Sequence, residues 1–360
     1  MIGHHGNGTT WYLGAPVLVT IRDIARTANV GVTTVSRVIN DHPRVDPVTR
    51  ERILQCMRDL NYYPSALARN LSKSQLNVIG IVFPQGVYVF WGADSYFAPT
   101  LNGVAMAANE LRQSVLLCSN DVWSNVPNSF SSLLDRRCDG LLLFGMPRDN
   151  SLAPVLLRSE FPFVMVSDTA DDERIASVDI DNVAVGRMAT EYLLDHGHRR
   201  IGFVTMVTGY EHYNWSLNRF RGYKQALEKR GIDFREDYVS PAITAFDRSW
   251  ERFEHFLKMD PEVRPTALFC MEDDAALEGI RYMQEQGLKV PDDISFIGVN
   301  DLPKDAMTGP GLTSIWQPLD QVGSQSMRIV YKMVRGEVAR DHREVLPIKL
   351  IERGSVRLIS

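Results

Sequence analysis

Three groups of residues in this chain have the types and the spacing to do chemistry. The first is Val32-Thr33-Thr34-Val35-Ser36-Arg37. On one helical turn, a valine methyl suits a thymine methyl and a threonine hydroxyl suits a base edge, while an arginine one turn further on reaches a guanine or a phosphate. The second group pairs acids with a guanidinium: Asp168, Glu272 and Asp273 with Arg219. Two carboxylates at the right separation can hydrolyse a glycosidic bond, and the same groups beside aromatic rings can instead simply grip hydroxyls. The third is His196-Gly197-His198, a pair of imidazoles that stands where a helical pattern ends before a strand, and its reading is structural. With no G-x-S-x-G, G-x-x-x-x-G-K-[ST] or H-E-x-x-H in the chain, the sequence predicts a binder and not an enzyme. No catalytic residue, metal or cofactor is expected.

The elements that must position the first group are short. Thr20 caps a helix with Asp23 three residues on as the capping-box acid, and Ile21, Ile24, Ala25 and Ala28 share one face. Asn29, Val30 and Gly31 supply a turn, because Asn and Gly tolerate left-handed backbone. Val35, Val38 and Ile39 of the next helix must then face the first, which leaves Thr33, Thr34, Ser36 and Arg37 pointing outward. This is the layout of a helix-turn-helix, whose second helix lies in a DNA major groove, and also that of two short helices of a bundle joined by glycine. Asp46 and Pro47 open a third helix with Ile53, Cys56, Met57 and Leu60 on its buried stripe. Ser65 to Leu71 reads as a helix too short to be stable alone, or as a plain linker.

Charge follows the same division. The chain has 360 residues and a net charge of -5, yet residues 17–75 hold nine Lys or Arg against five Asp or Glu, so a basic head joins an acidic body. Residues 1–16 lack a basic start and a long apolar core, so they read as a disordered tail and not as a signal peptide. His4 and His5 in that tail supply only two metal ligands. Cys56, Cys118, Cys138 and Cys270 are scattered through apolar patterns, which predicts reduced thiols in a cytoplasmic protein. No apolar run reaches the length of a membrane span.

From Asn77 onward, short apolar runs alternate with amphipathic stretches, the pattern of parallel sheet covered by helices. Strands are expected at 78–83, 115–118, 140–144 and 163–166, with helices near 97–112, 129–137 and 152–159. A second set follows: helices 182–196, 218–229, 249–259 and 274–286 with strands 201–206, 267–270 and 294–299. Two similar halves imply two lobes. Ligands of open parallel sheets bind beyond the carboxyl ends of the strands. The loops there carry Tyr88, Phe90, Trp91, Tyr96 and Phe97, then Tyr210, Tyr213 and Trp215, whose rings suit the C–H faces of sugars or nucleobases. Both ligand classes stay open, with carbohydrate leading.

VTIRDIARTANVGVTTVSRVIN, the DHPRVDPVTRERILQCMRDLNYYPSALARNLSKSQLNVIGIVFP after it, and later VDIDNVAVGRMATEYLLDHGHRRIGFV, NRFRGYKQAL, PDDISFIGVND, LTSIWQP and LIERGSV resemble the lactose-repressor (LacI/GalR) family of bacterial transcription regulators. The resemblance runs from Val19 to Val356. It implies an N-terminal all-α helix-turn-helix domain followed by an α/β two-lobed effector domain of the periplasmic-binding-protein type. The domains are then a tail at 1–16, a DNA-binding domain at 17–63, a hinge helix at 64–75 and an effector-binding and dimerisation domain at 76–360. The first lobe spans approximately 76–176 plus 317–344, and the second 177–316 plus 345–360.

The resemblance further implies a homodimer on a pseudo-palindromic operator, with hinge helices entering the minor groove and Leu71 as the wedge that kinks the duplex. Residues expected to meet DNA are Thr20, Val32, Thr33, Thr34, Ser36, Arg37 and Asn40 in the head and Ser65, Ala68, Arg69 and Leu71 in the hinge. Arg219 takes the place of the effector-binding arginine, Glu272 lies near a second polar contact, and Tyr96, Phe97, Ser167 and Asp168 line the first-lobe wall. Asn300 stands where most members carry a ligand-contacting aspartate, so a diol is gripped there by an amide without charge.

Overall fold

The structure is a computed structural model, and it describes residues 19–39, 42–60, 62, 76–83, 96–118, 137–205, 210–243, 249–306 and 309–359. The hinge residues Ser65, Ala68, Arg69 and Leu71, together with Asn40, the tail, Tyr88, Phe90, Trp91 and most of the helix expected at 129–137, lie outside the described residues. The chain divides into two compact units, Met1–Leu76 and Asn77–Ser360.

In the first unit, α1 (Ile21–Thr27), α2 (Val32–Ile39) and α3 (Pro47–Asp59) enclose a small core. Thr20 opens α1 as expected: its backbone N–H and its hydroxyl both donate to Asp23 Oδ2, at 2.9 and 2.6 Å. Asp46 caps α3 by accepting the Thr49 N–H at 2.9 Å, with Pro47 just inside the helix. At the turn only Asn29 is left-handed (φ 51°). Gly31 instead stands as the residue before α2, its carbonyl accepting from Thr34 and Val35. Ile24, Val35 and Ile53 are fully enclosed where the three helices meet.

The second unit holds two sheets. The first has the order β10-β5-β4-β3-β1-β2, parallel throughout, from β1 (Val78–Val82), β2 (Ser114–Cys118), β3 (Gly140–Phe144), β4 (Phe163–Val166), β5 (Ser177–Ile180) and β10 (Arg343–Leu346). The second has the order β11-β9-β8-β7-β6, from β6 (Ile201–Val204), β7 (Ala267–Cys270), β8 (Ser295–Asn300), β9 (Thr313–Trp316) and an antiparallel β11 (Lys349–Ile351). Each sheet has a hydrophobic cluster on either face. The chain crosses between lobes after β5, after β9 and after β10. Residues 177–180 and 345–346, placed in the second lobe from the sequence, therefore belong to the first sheet, because β5 pairs with β4 and β10 pairs with β5.

Helices α4 (Phe97–Glu110), α5 (Leu152–Arg158) and α10 (Leu319–Val334) serve the first lobe, and α6 (Asn182–Asp195), α7 (Asn214–Lys229), α8 (Glu251–Leu257) and α9 (Asp273–Glu285) the second. Two close helix pairs, α4 with α10 and α6 with α7, cross backbone to backbone at glycine. A Cβ on Gly186 would fall 1.9 Å from the Arg219 carbonyl oxygen, and one on Gly222 would fall 2.1 Å from that of Val183. This approach brings Asn182, one turn before Gly186, within reach of the Arg219 side chain. Gly186→Ala must push α6 from α7 and is expected to destabilise the second unit by about 3 kcal/mol. An unchanged urea midpoint would contradict the crossing.

His196-Gly197-His198 is structural. His198 is enclosed, its Nδ1 is 2.9 Å from Thr266 Oγ1, and burial pushes its pKa down to about 4. The unfolded chain takes up this proton near the ordinary value of 6.5, so the contribution of His198 is present above that pH and lost as pH falls from 6.5 towards 4. His198→Gln should flatten the pH dependence of stability across that window, measured as Tm against wild type. Among the described residues no His, Cys, Asp or Glu cluster could hold a metal ion, and no helix is long and apolar enough to cross a membrane.

Candidate functional site

On α2 the burial pattern separates packing from recognition. Val35 and Val38 are buried against α1 and α3, whereas Thr33 and Arg37 are exposed, Thr34 and Ser36 are half-buried, and Val32 is 42% exposed despite its apolar side chain. An exposed valine with threonine hydroxyls, and a guanidinium one turn further on, form a surface with methyl, donor, acceptor and cation along α2, matched to base-pair edges. Arg37→Ala is expected to cost about 1–3 kcal/mol at one operator position. Retention of the full preference for operator over random DNA in a competition titration would show that Arg37 reads no base.

In the second unit, the loop after β4 meets the start of α7, and the residue after β7 meets the Arg219 side chain. Arg219, on α7, is 5% exposed; its Nε donates to Asn182 Oδ1 at 3.0 Å and its Nη1 to the Met271 carbonyl that follows β7. The Trp215 ring lies under the guanidinium, 4.8 Å from centroid to Cζ. Burial lowers the pKa of Arg219, and the charges of Glu272, Asp179 and Tyr96 oppose that shift. Arg219 is thus held by Asn182 and the Met271 carbonyl, with the charges of Glu272 and Asp179 acting on it from the two lobes.

Asp179, on β5, is 3% exposed and accepts from Asn182 Nδ2 at 2.9 Å. Burial pushes its carboxyl up to about 7, against the pull of the Ile180 backbone hydrogen bond and of Arg219. Glu272 is half-buried, and its pKa is also raised by burial against Arg219. Tyr96 is raised by burial too, with Ser167 and Asp179 among the groups acting on it. Tyr96, Ser167, Asp179, Arg219 and Glu272 therefore share one site.

Three expected residues carry other duties as well. Phe97 packs edge-on to Phe83 at 5.6 Å and against Phe144 at 6.4 Å, within the first-lobe core. Asp168 is fully buried, and its Oδ1 accepts the Thr169 N–H at 2.8 Å and the Trp215 N–H at 3.1 Å. A first-lobe carboxylate thus caps a second-lobe helix. Beside it, Asn214 Nδ2 donates to the Thr169 carbonyl at 2.7 Å, and the Arg148 N–H to the His212 carbonyl at 3.0 Å. Asn300, at φ 130° and 4% exposed, accepts from Gln317 Nε2 at 2.6 Å. Its amide is presented together with that of Gln317.

Asp273 is not part of this set. Its Oδ1 accepts from Ser314 Oγ and its Oδ2 from the Asp301 N–H, both at 2.7 Å, inside the second lobe. Asp274 is exposed at the start of α9 and pairs with Lys304. Of Asp168, Glu272 and Asp273, weighed together for glycoside hydrolysis, Asp273 has both oxygens engaged in structural hydrogen bonds and does not join the other two. Asp179, Asn182 and Gln317 were missed from the sequence. The signal for Asp179 was an acid inside the strand-like run Ser-Val-Asp-Ile, followed at once by the helix opening Asp181-Asn182.

Comparison with known proteins gives this geometry a family. Residues 20–65 match the model for bacterial regulatory proteins, lacI family, and residues 190–356 match the periplasmic binding protein-like domain. Catabolite control protein A of Priestia megaterium is 30% identical over 342 residues, covering 94% of this chain and 99% of that protein. This chain belongs to the lacI family. The HTH-type transcriptional regulator CelR of Thermobifida fusca is also 30% identical, over 93% of this chain and 98% of that protein. A solved structure described as a transcriptional regulator CelR–cellobiose complex superposes with a TM-score of 0.69 at 28% identity, over 94% of this chain and 99% of that one. As a lacI-family chain, it pairs a helix-turn-helix head with a periplasmic-binding-protein-like body, and its relatives are transcription regulators and not enzymes.

Proposed function

We propose that this protein is a repressor that binds a pseudo-palindromic operator as a homodimer and is controlled by a carbohydrate held between the two lobes of Asn77–Ser360. The observation that carries the reading is Arg219, buried over the Trp215 ring, held by Asn182 and acted on by the charges of Glu272 and Asp179. A planar fork of donors, carboxylate and amide acceptors and an aromatic face are the groups that take vicinal hydroxyls and the apolar face of a sugar ring. The CelR relative solved with cellobiose supports the same ligand class.

In this reading Tyr96, Ser167, Asp168, Arg219, Glu272 and Asn300 contact the effector, with Phe97 supporting the wall. Thr20, Val32, Thr33, Thr34, Ser36, Arg37 and Asn40 meet the major groove, and Ser65, Ala68, Arg69 and Leu71 meet the minor groove. The effector changes how the lobes sit against each other, through contacts such as Asp168 with the start of α7, and so shifts the equilibrium of the operator-bound state. A thermal-shift screen of sugars and nucleosides tests the ligand class, because a bound ligand raises Tm by mass action. Stabilisation by a sugar is expected; stabilisation by nucleosides alone would overturn the carbohydrate assignment.

A further inference from the structure

A second buried arginine stands close to Glu272. Arg252, on α8, is 5% exposed, and each of its guanidinium nitrogens donates: Nε to the Ser249 carbonyl at 3.1 Å, Nη1 to the Thr205 carbonyl at 2.9 Å and Nη2 to Glu278 Oε2 at 2.8 Å. Thr205 directly follows β6, and Glu278 lies in α9. The corner from β7 into α9 is tied to the same two elements. Its Met271 N–H donates to the carbonyl of Val204, the last residue of β6, at 3.3 Å, and the Met271 carbonyl accepts from Arg219. Glu272, the next residue, caps α9. One guanidinium thus fastens both the strand beside this corner and the helix that leaves it.

Charge accompanies position. Burial raises the pKa of Glu272, Arg219 opposes that rise, Asp274 adds to it and Arg252 opposes it. Tyr96 and Tyr213 feel the charge of Glu272 in turn. The charge of Arg252 also reaches Cys270, the last residue of β7. A buried ion pair is often no more stable than apolar side chains in its place, so stability alone is a weak account of Arg252 with Glu278. We propose that Arg252 is a positioning residue of the effector site, which braces the corner carrying Glu272 and holds that side chain as a carboxylate acceptor for ligand hydroxyls. This rests on the reading of Glu272 as an effector contact.

The test is a pH titration, followed by NMR, of the ligand-free full-length protein with carbon-13 in its glutamate carboxyls. The Glu272 resonance is assigned by its absence in Glu272→Gln. In Arg252→Gln the Glu272 midpoint should rise by at least about 0.5 pH units, and Arg252→Lys should restore most of the difference. Arg252→Met combined with Glu278→Met removes both partners and leaves neither charge unpaired. It should show the same rise, and it serves should Arg252→Gln misfold. Glu278→Gln, which breaks the ion pair but keeps the cation, should show no rise. An unchanged midpoint in a folded variant lacking Arg252, or an equal rise in Glu278→Gln, would reduce Arg252 to a structural ion pair and overturn the proposal. No ligand enters the measurement, so that outcome is distinct from a failure of the carbohydrate reading, which the thermal-shift screen decides.

Discussion

Arg219→Ala is expected to abolish the response of operator binding to effector while changing operator affinity without effector by no more than about threefold, or under 1 kcal/mol. The charge of the guanidinium acts with those of Asp179 and Glu272, and it donates to Asn182 Oδ1 and the Met271 carbonyl. Its removal takes away the fork proposed to meet the ligand and a positive charge that acts on the buried Asp179 and Glu272. Effector affinity should fall at least about a hundredfold, near 3 kcal/mol. The second unit should lose about 3–5 kcal/mol of stability, as when one partner of a buried charge pair is deleted. Fluorescence anisotropy on labelled operator, with and without effector, reads the first effect, and a urea melt the second. Full retention of the effector response would remove Arg219 from the site.

Ile53→Ala should have the opposite signature: DNA binding lost, effector binding kept. Ile53 is fully enclosed in the small cluster that joins α1, α2 and α3. Truncation of a buried isoleucine costs about 2–5 kcal/mol, comparable with the whole stability available to a core of this size. The head should unfold at working temperature. The compact unit Asn77–Ser360 has its own hydrophobic clusters and should bind effector with unchanged affinity. Operator binding equal to wild type would mean that the three-helix core does not hold α2 in its recognition geometry.

The head was legible in the sequence because its signals are local. The Thr20–Asp23 capping box, the Asp46-Pro47 start and the Ile24, Val35 and Ile53 spacing each act within one or two helical turns, and all three appear in the structure. Gly31 shows the limit of such reading: glycine suggested left-handed backbone, but that conformation falls to Asn29, whose side chain tolerates it. In the body, β3, β4 and β7 were read to the residue because continuous apolar runs leave no choice of period.

What was missed depended on long-range pairing. The strands β5, β9, β10 and β11 are short and mix polar with apolar residues, and only their neighbours in the sheets make them strands. Helix α7 begins at Asn214 and not at Asn218 because its first turn is capped by Asp168, 47 residues away in sequence. The same distance hides most of the site. Arg219 and Glu272 were named by resemblance, yet Asp179 and Asn182, which orient and balance the arginine, are brought to it by the Gly186–Gly222 crossing of α6 and α7. No local pattern announces a contact of that kind.

In the proposed function, a head that grips DNA as a symmetric pair is governed by a ligand in the body. Selection of a preferred DNA site from a random pool by the full-length protein, followed by titration of the selected fragment at increasing salt with and without the stabilising sugar, measures both halves at once. The expected result is an inverted-repeat site, affinity that falls steeply with salt through loss of phosphate contacts, and a shift of at least about tenfold on adding the sugar. A protein that selects no inverted repeat, or whose selected site is bound equally with and without every ligand that raises its Tm, would contradict it.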